Sequence, residues 1–270
     1  MLHPAALHPL PTRRASIVSL LGLVAAGCGG SGGGSGNGPS MAGTLQTLSL
    51  MARASSSTYP LYIYLPPGSD ADRSSLPVVY LLDGESRFQT MVDIVEAARS
   101  RVMLVGIGNE ALRSRDYVPL NQCTPGGSGQ VAFLDFIRQE LIPYVEAKVG
   151  GNPRRRSLLG HSHGGSFVLY ALFNEPPADR RFGVYLASDS SIDCMKGTVY
   201  GWDADYAAAN TSLPVKLHLS YSANEANGPF AAQLQSRHYT GLSLVSQLYA
   251  GGHIGMIPQA FADALAFALA

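Results

Sequence analysis

The chain is short of charge, cysteine and lysine. Of its 270 residues only 14% are charged, and 19 basic residues balance 19 acidic ones to a formal net charge of zero. A nucleic-acid binder carries a basic excess, and none is present. A disordered chain needs low hydrophobicity and high net charge, and this one has neither. Three cysteines are too few for a disulfide-dense scaffold. No Cys/His cluster has metal-ligand spacing, and the glycine-rich tract neither follows a strand nor opens a helix, so no phosphate loop is present. Neither a metal nor a cofactor is expected. No internal repeat is visible. Lys148, Lys196 and Lys216 stand against 16 arginines, which reads as genome composition rather than function.

What is present is a 46% hydrophobic chain long enough to bury a large core. Its first forty residues read differently from the rest. Arg13 and Arg14 precede an apolar run, Ile17 to Ala26, too short to span a bilayer and shaped like the core of a signal peptide. The run ends in Ala25-Ala26-Gly27-Cys28, which resembles the lipobox of bacterial lipoproteins, in which the cysteine is lipidated. Thr12-Arg13-Arg14 bears a fainter similarity to a twin-arginine signal. Gly29 to Pro39, GGSGGGSGNGP, is a flexible tether. The reading is therefore a signal peptide over 1–27, a lipidated Cys28 with its linker over 28–40, and one domain over 41–270. The protein is expected to be exported and to face the periplasm or the cell exterior, with membrane association through the N-terminal lipid only.

The body alternates strand and helix patterns. Gln46–Met51 and Tyr59–Leu65 read as a hairpin, with Tyr59, Leu61, Ile63 and Leu65 on one face. Continuous apolar runs at Pro77–Asp83 and Val102–Ile107 read as strands buried on both faces. Further strands are expected at Arg156–Gly160, Phe182–Ala187, Val215–Tyr221 and Ser243–Tyr249. Helices are expected at Phe88–Ala98, Val131–Val149 (bent or divided by Pro143), Gly165–Phe173, Phe230–Tyr239 and Pro258–Leu269. An antiparallel start followed by strand–helix alternation implies an α/β fold: a mostly parallel sheet with helices on both faces.

Gly160-His161-Ser162-His163-Gly164 fits G-x-S-x-G, between an apolar strand and a helix, the context that motif requires. Ser162 is the candidate nucleophile, on a turn so sharp that side chains two positions either side would clash. The backbone N–H of His163 is one expected oxyanion donor, and that of Gly84 or Glu85, in the turn after the Pro77–Asp83 strand, the other. His161 and His163 read as pocket wall or core, because neighbours in such a turn point away from the hydroxyl. His253, in the loop after the last strand, is the candidate base; His218 and His238 read as structural. Chain order makes Glu225 the candidate acid, with Asp189 and Asp193 as rivals and an unassisted Ser–His pair left open.

Several stretches line up with one family. VYLLDG at 79–84, VGIGN at 105–109 with RSRDYVP at 113–119, ELIPYVE at 140–146 and GHSHGG at 160–165 resemble the putative-esterase family of α/β-hydrolases. That family includes esterase D-like enzymes, feruloyl and acetyl-xylan esterases and the esterases that open ferric-siderophore trilactones. The resemblance covers about residues 44–270, and it is strongest to the periplasmic siderophore-esterase branch. It implies an α/β-hydrolase fold and a serine carboxylesterase working through an acyl-enzyme on a small-molecule ester of siderophore, aryl or acetyl type. An acyl transferase on the same site and a catalytically silent binding lipoprotein are the alternatives. The resemblance also implies an ion pair in the loop holding Arg113, Arg115, Asp116 and Tyr117. Arg115, Tyr117 and Trp202 are candidate pocket residues, Trp202 in a loop-like stretch where packing is the other reading. Cys123 and Cys194 fall on the expected rim of the site, where an oxidising compartment would allow them to pair.

Overall fold

The computed structural model describes residues 42–119, 126–195, 197–223 and 226–270. Eight strands among them form one sheet: β1 Thr44–Met51, β2 Thr58–Leu65, β3 Val78–Leu82, β4 Met103–Ile107, β5 Arg156–His161, β6 Val184–Ser188, β7 Lys216–Tyr221 and β8 Ser243–Leu248. The order across the sheet is β1-β2-β4-β3-β5-β6-β7-β8. β2 runs antiparallel to both of its neighbours, and every other pairing is parallel. The hairpin joining β1 to β2 closes through Ala52 N–H on Ser57 O (2.9 Å), with Ser56 in the left-handed region. This is the expected α/β architecture, with each strand within two residues of its expected bounds.

The central strands are covered on both sides, which is why they read as unbroken apolar runs. Every residue of β3, β4, β5 and β6 is buried. Successive side chains alternate between two layers. Tyr80, Val105, Leu158 and Tyr185 join one core, and Leu81, Leu104, Leu159 and Leu186 the other. Helices α1 (Gly84–Ala97) and α9 (Ile257–Leu269) cover the second face. The first face is covered by α3 (Gln130–Phe136), α4 (Ile142–Lys148), α5 (His163–Asn174), α6 (Thr198–Ala209) and α7 (Asn227–Ser236). Two single turns, α2 (Arg113–Asp116) and α8 (Gly252–Gly255), lie beyond the ends of β4 and β8.

Three elements differ from the sequence reading, each for a physical reason. The helix expected over Val131–Val149 is divided: a π-helical segment, Ile137–Leu141, separates α3 from α4. Pro143, the second residue of α4, has no N–H to give and would press on the carbonyl four residues back, and the wider π turn relieves both problems. Helix α1 starts at Gly84 rather than Phe88, because Asp83 in left-handed conformation turns the chain straight from β3 into the helix. The stretch around Trp202, expected to be loop-like, is helix α6. Its apolar residues form no clear stripe, and it is fastened by a buried charge. Asp203, fully buried, accepts bonds from Gln233 Nε2 (2.5 Å), Arg237 Nε (2.8 Å) and Tyr239 Oη (2.8 Å), tying α6 to α7 and the residues after it.

Asp203→Ala strips the acceptor from three donors at once. The expected loss is about 3 kcal/mol of stability, read from urea unfolding, since breaking one side of a buried charge network leaves its partners uncompensated.

Candidate active site

The loops at the C-terminal ends of β3, β5, β6 and β8 converge on one site, as ligand sites do in parallel α/β sheets. At its centre the chain passes from β5 into α5 through Ser162, at φ 61° and ψ −123°. This sparsely populated conformation costs about 1–3 kcal/mol and survives only where the surroundings enforce it. They do so here through Ser162 N–H on Ser188 O (2.9 Å) and Ser166 N–H on Ser162 O (3.0 Å). The need for glycine is not symmetric about the serine. A Cβ on Gly160 would sit 2.4 Å from the Gly164 backbone, whereas one on Gly164 would meet nothing closer than 3.3 Å. The second tight position is Gly165, where a Cβ would approach Ser188 O to 2.7 Å.

His253 lies on α8, after Gly251 and Gly252, both in left-handed conformation. Its Nδ1 is 2.7 Å from Asp189 Oδ2. Asp189 directly follows β6 and is 1% exposed. Its carboxylate also accepts Ser222 N–H (3.0 Å) and Ser222 Oγ–H (2.8 Å). The carboxylate on the imidazole is thus Asp189, one strand earlier in the chain than expected. Glu225, the first sequence choice, lies outside the described residues, and Asp193 is exposed on the turn beyond Asp189. The Ser162 hydroxyl is 3.4 Å from Ser191 Oγ.

Three free amides face charge build-up at helix starts. The N–H groups of Gly84 and Glu85, the first two residues of α1, and of His163, the first of α5, have no acceptor among the described residues. Unpaired first-turn amides favour negative charge. Arg113 links these two starts. Its Nε and Nη2 donate to the two Asp83 oxygens (3.1 and 3.2 Å), and its Nη1 lies 3.1 Å from His163 Nδ1. A guanidinium can only donate, so His163 Nδ1 accepts and its proton sits on Nε2. Burial and the adjacent guanidinium push the His163 pKa down. His161 lies beneath the site, with its ring centroid 4.5 Å from that of His253. Burial, then the neighbouring His253, push its pKa down to about 3.

The residues read as pocket candidates stand elsewhere. Arg115 is held by Asp116 (2.6 Å), Tyr59 Oη (2.9 Å) and Ser57 Oγ (3.0 Å), which fasten α2 to the β1–β2 hairpin. Tyr117 is fully buried, and its hydroxyl accepts Asp83 N–H (3.2 Å) from inside the core. Trp202 packs edge-on against Tyr170 at 5.2 Å. It lines a cleft of about 290 Å³ with Phe173, Pro176 and Tyr206, toward the end of α5 away from Ser162. Cys194 is disulfide-bonded, whereas Cys123 and Cys28 lie outside the described residues.

Two outcomes follow from this geometry. Gly160→Ala is expected to abolish soluble folded protein, while Gly164→Ala stays folded, as thermal melts of the two would show. His161 stays neutral in the fold down to about pH 3, whereas the unfolded chain takes up its proton near 6.5. Between those values the unfolded state binds more protons, so stability falls as pH drops. The contribution lost over that window is of the order of 4 kcal/mol, and His161→Phe should flatten that part of the urea-midpoint profile.

The family model described as Putative esterase matches residues 53–241. The ferri-bacillibactin esterase BesA of Bacillus subtilis is 26% identical over 257 residues, 82% of this chain and 88% of the relative. The siderophore triacetylfusarinine C esterase of Aspergillus fumigatus is 35% identical over 136 residues, 44% of this chain and 46% of the relative. Among solved structures, an IroE-like serine hydrolase from Shewanella oneidensis superposes with a TM-score of 0.74 at 25% identity, covering 82% of this chain and 79% of that one. With the family model spanning most of the chain and the serine turn at its centre, the protein belongs to the Putative esterase family and is a serine hydrolase of α/β-hydrolase fold that acts on carboxylic esters.

Proposed function

We propose that this esterase opens the ester linkages of a siderophore, with Ser162 as nucleophile, His253 as base and Asp189, rather than Glu225, as the acid. The observation that carries the triad is the 2.7 Å contact between His253 Nδ1 and the buried Asp189 carboxylate. A carboxylate on Nδ1 holds that proton in place and leaves Nε2 as the acceptor. The substrate class rests on two relatives whose names state siderophore hydrolysis.

In the first half-reaction Ser162 Oγ attacks the ester carbonyl and His253 Nε2 takes the hydroxyl proton. The carbonyl oxygen becomes an oxyanion, received by His163 N–H and by the Gly84 or Glu85 N–H. Collapse breaks the C–O bond, and the alcohol leaves with the proton from His253. In the second half-reaction water attacks the acyl carbon and gives a proton to His253; collapse then breaks the bond to Ser162 Oγ, which takes that proton back as the acid is released. Asp189 stays ionised throughout and stabilises the imidazolium that forms twice per turnover.

The leader supports a second part of the reading: export, with lipid on Cys28. Among the described residues no helix is long and apolar enough to cross a membrane. Radiolabelled palmitate should enter the full chain in a bacterial host and be absent from Cys28→Ser.

Fluorophosphonate labelling of wild type and Ser162→Ala tests the nucleophile, and mass analysis of a ferric trilactone siderophore incubated with each tests the substrate. Labelling and stepwise ring opening are both expected, and both vanish in Ser162→Ala. Asp189→Asn should lower kcat by roughly 10²–10⁴ while Glu225→Gln stays within about twofold of wild type. The reverse ranking would return the acid role to Glu225. Labelling without trilactone cleavage would keep the esterase and reject the substrate.

A further inference from the structure

The residue before the nucleophile has no role in the scheme above, and its placement is unusual. His161 is 2% exposed, at the end of β5. Its Nδ1 is 3.1 Å from Ser188 Oγ, and its Nε2 is buried without a partner among the described residues. Burying an unpartnered ring nitrogen is unfavourable, and a leucine or phenylalanine would fill the space without that penalty. The ring instead presents a face to His253, at 4.5 Å between centroids and 40° between planes.

His253 needs such a support. It stands on a four-residue helical turn that opens with Gly252 after Gly251, and its side chain is 47% exposed. Asp189 anchors one ring atom, and a single hydrogen bond leaves the ring free to pivot about that contact. A flat surface against the ring removes the pivot. The same surface has an electronic effect, because an aromatic face within about 6 Å attracts a cation. That effect requires the lower ring to be uncharged. The groups facing His161 are His253 on α8, Arg87 on α1, Arg113 on α2 and Asp189 after β6. Burial and the two guanidinium groups act against a proton on His161, which outweighs the pull of Asp189.

The geometry points to His161 as a positioning residue: an aromatic plate that holds the His253 ring in place and stabilises it as an imidazolium. This rests on the reading of His253 as the base. β5 carries the plate directly into Ser162, and its bond to Ser188 ties it to the residue before Asp189, so one ring registers base, nucleophile and acid against each other.

Three substitutions separate the ring face from the other features of His161. His161→Phe keeps an uncharged aromatic face and drops the Ser188 bond. His161→Leu fills the space without a π face, and His161→Asn keeps a polar group near Ser188 without a ring. Each is checked for folding by its thermal melt, then assayed for kcat and KM on a p-nitrophenyl ester and for the rate constant of fluorophosphonate labelling. The plate predicts that Phe stays within about threefold of wild type in both rates. Leu and Asn should fall by about tenfold or more in kcat and labelling with KM little changed, since the loss lies in the transition state. Leu or Asn as fast as wild type, or Phe as slow as Leu, would overturn the inference. Should Leu or Asn fail to fold, His161→Met takes its place as the variant without a ring face, and the same comparison with Phe decides it. An unlabelled wild-type protein would instead defeat the hydrolase site itself, a separate result.

Discussion

The structure hangs on one strained residue held between two buried elements. Ser162 adopts φ 61° where a non-glycine residue is disfavoured. The strain, about 1–3 kcal/mol, is small against what flanks it. β5 is buried along its whole length, and α5 is buried from Gly164 to Phe173. Burying Phe167, Leu169 or Leu172 alone contributes about 1.5–3 kcal/mol each. The core therefore enforces the turn, and the turn puts the hydroxyl at the start of a helix and at the C-terminal edge of the sheet. Ser188 O, which receives the Ser162 N–H, belongs to the same strand end that carries Asp189. Ser162 and Asp189 are thereby fixed to each other through adjacent backbone.

Charge around this turn is divided with care. Asp83 and Asp189 are both almost fully buried. Asp83 has a permanent partner in the Arg113 fork. Among the described residues the side-chain partners of Asp189 are Ser222 and the imidazole of His253, with no guanidinium or ammonium group. A buried carboxylate without a fixed cation favours the appearance of one, which is what proton transfer to His253 supplies. Burial pushes the His161 pKa down, burial with the adjacent Arg113 lowers that of His163, and His253 is the one exposed ring of the three. The RSRDYVP stretch serves this division rather than a pocket. Arg113 neutralises Asp83, Tyr117 supports its backbone, and Arg115 anchors the loop to the first hairpin.

Much of the fold was legible because its signals are local. Unbroken apolar runs mark β3 and β4, period two marks β2, and the serine turn is written in its glycines. The elements that were misread lack a local signal. Helix α6 has no apolar stripe, and what holds it is Asp203 reaching donors about thirty residues on. The π segment before Pro143 is a compromise between a helix-breaking ring and a face that must stay on the core. Trp202 reads as a pocket wall only so long as its stretch is a loop; on a helix it packs on Tyr170, about two turns along α5 from the serine.

The sequence by itself determined the fold class, the strained serine turn, the histidine after the last strand and the strand-end loops that carry the candidate carboxylates. All of these follow from chain order, glycine spacing and hydrophobic period, which are properties of neighbours. It put Glu225 ahead of Asp189 and Asp193, because chain order favours the strand just before that of the histidine and spacing alone says nothing of where a carboxylate points. Tertiary structure put Asp189 on His253 through the left-handed bend at Asp189 and the side-by-side pairing of β6 with β7, which delivers Ser222 to the same carboxylate. It also brought the tilted ring of His161 to 4.5 Å from that of His253, residues 92 positions apart. The difference is physical: a period or a turn is decided within a few residues, whereas the direction of a buried carboxylate is decided by everything packed around it.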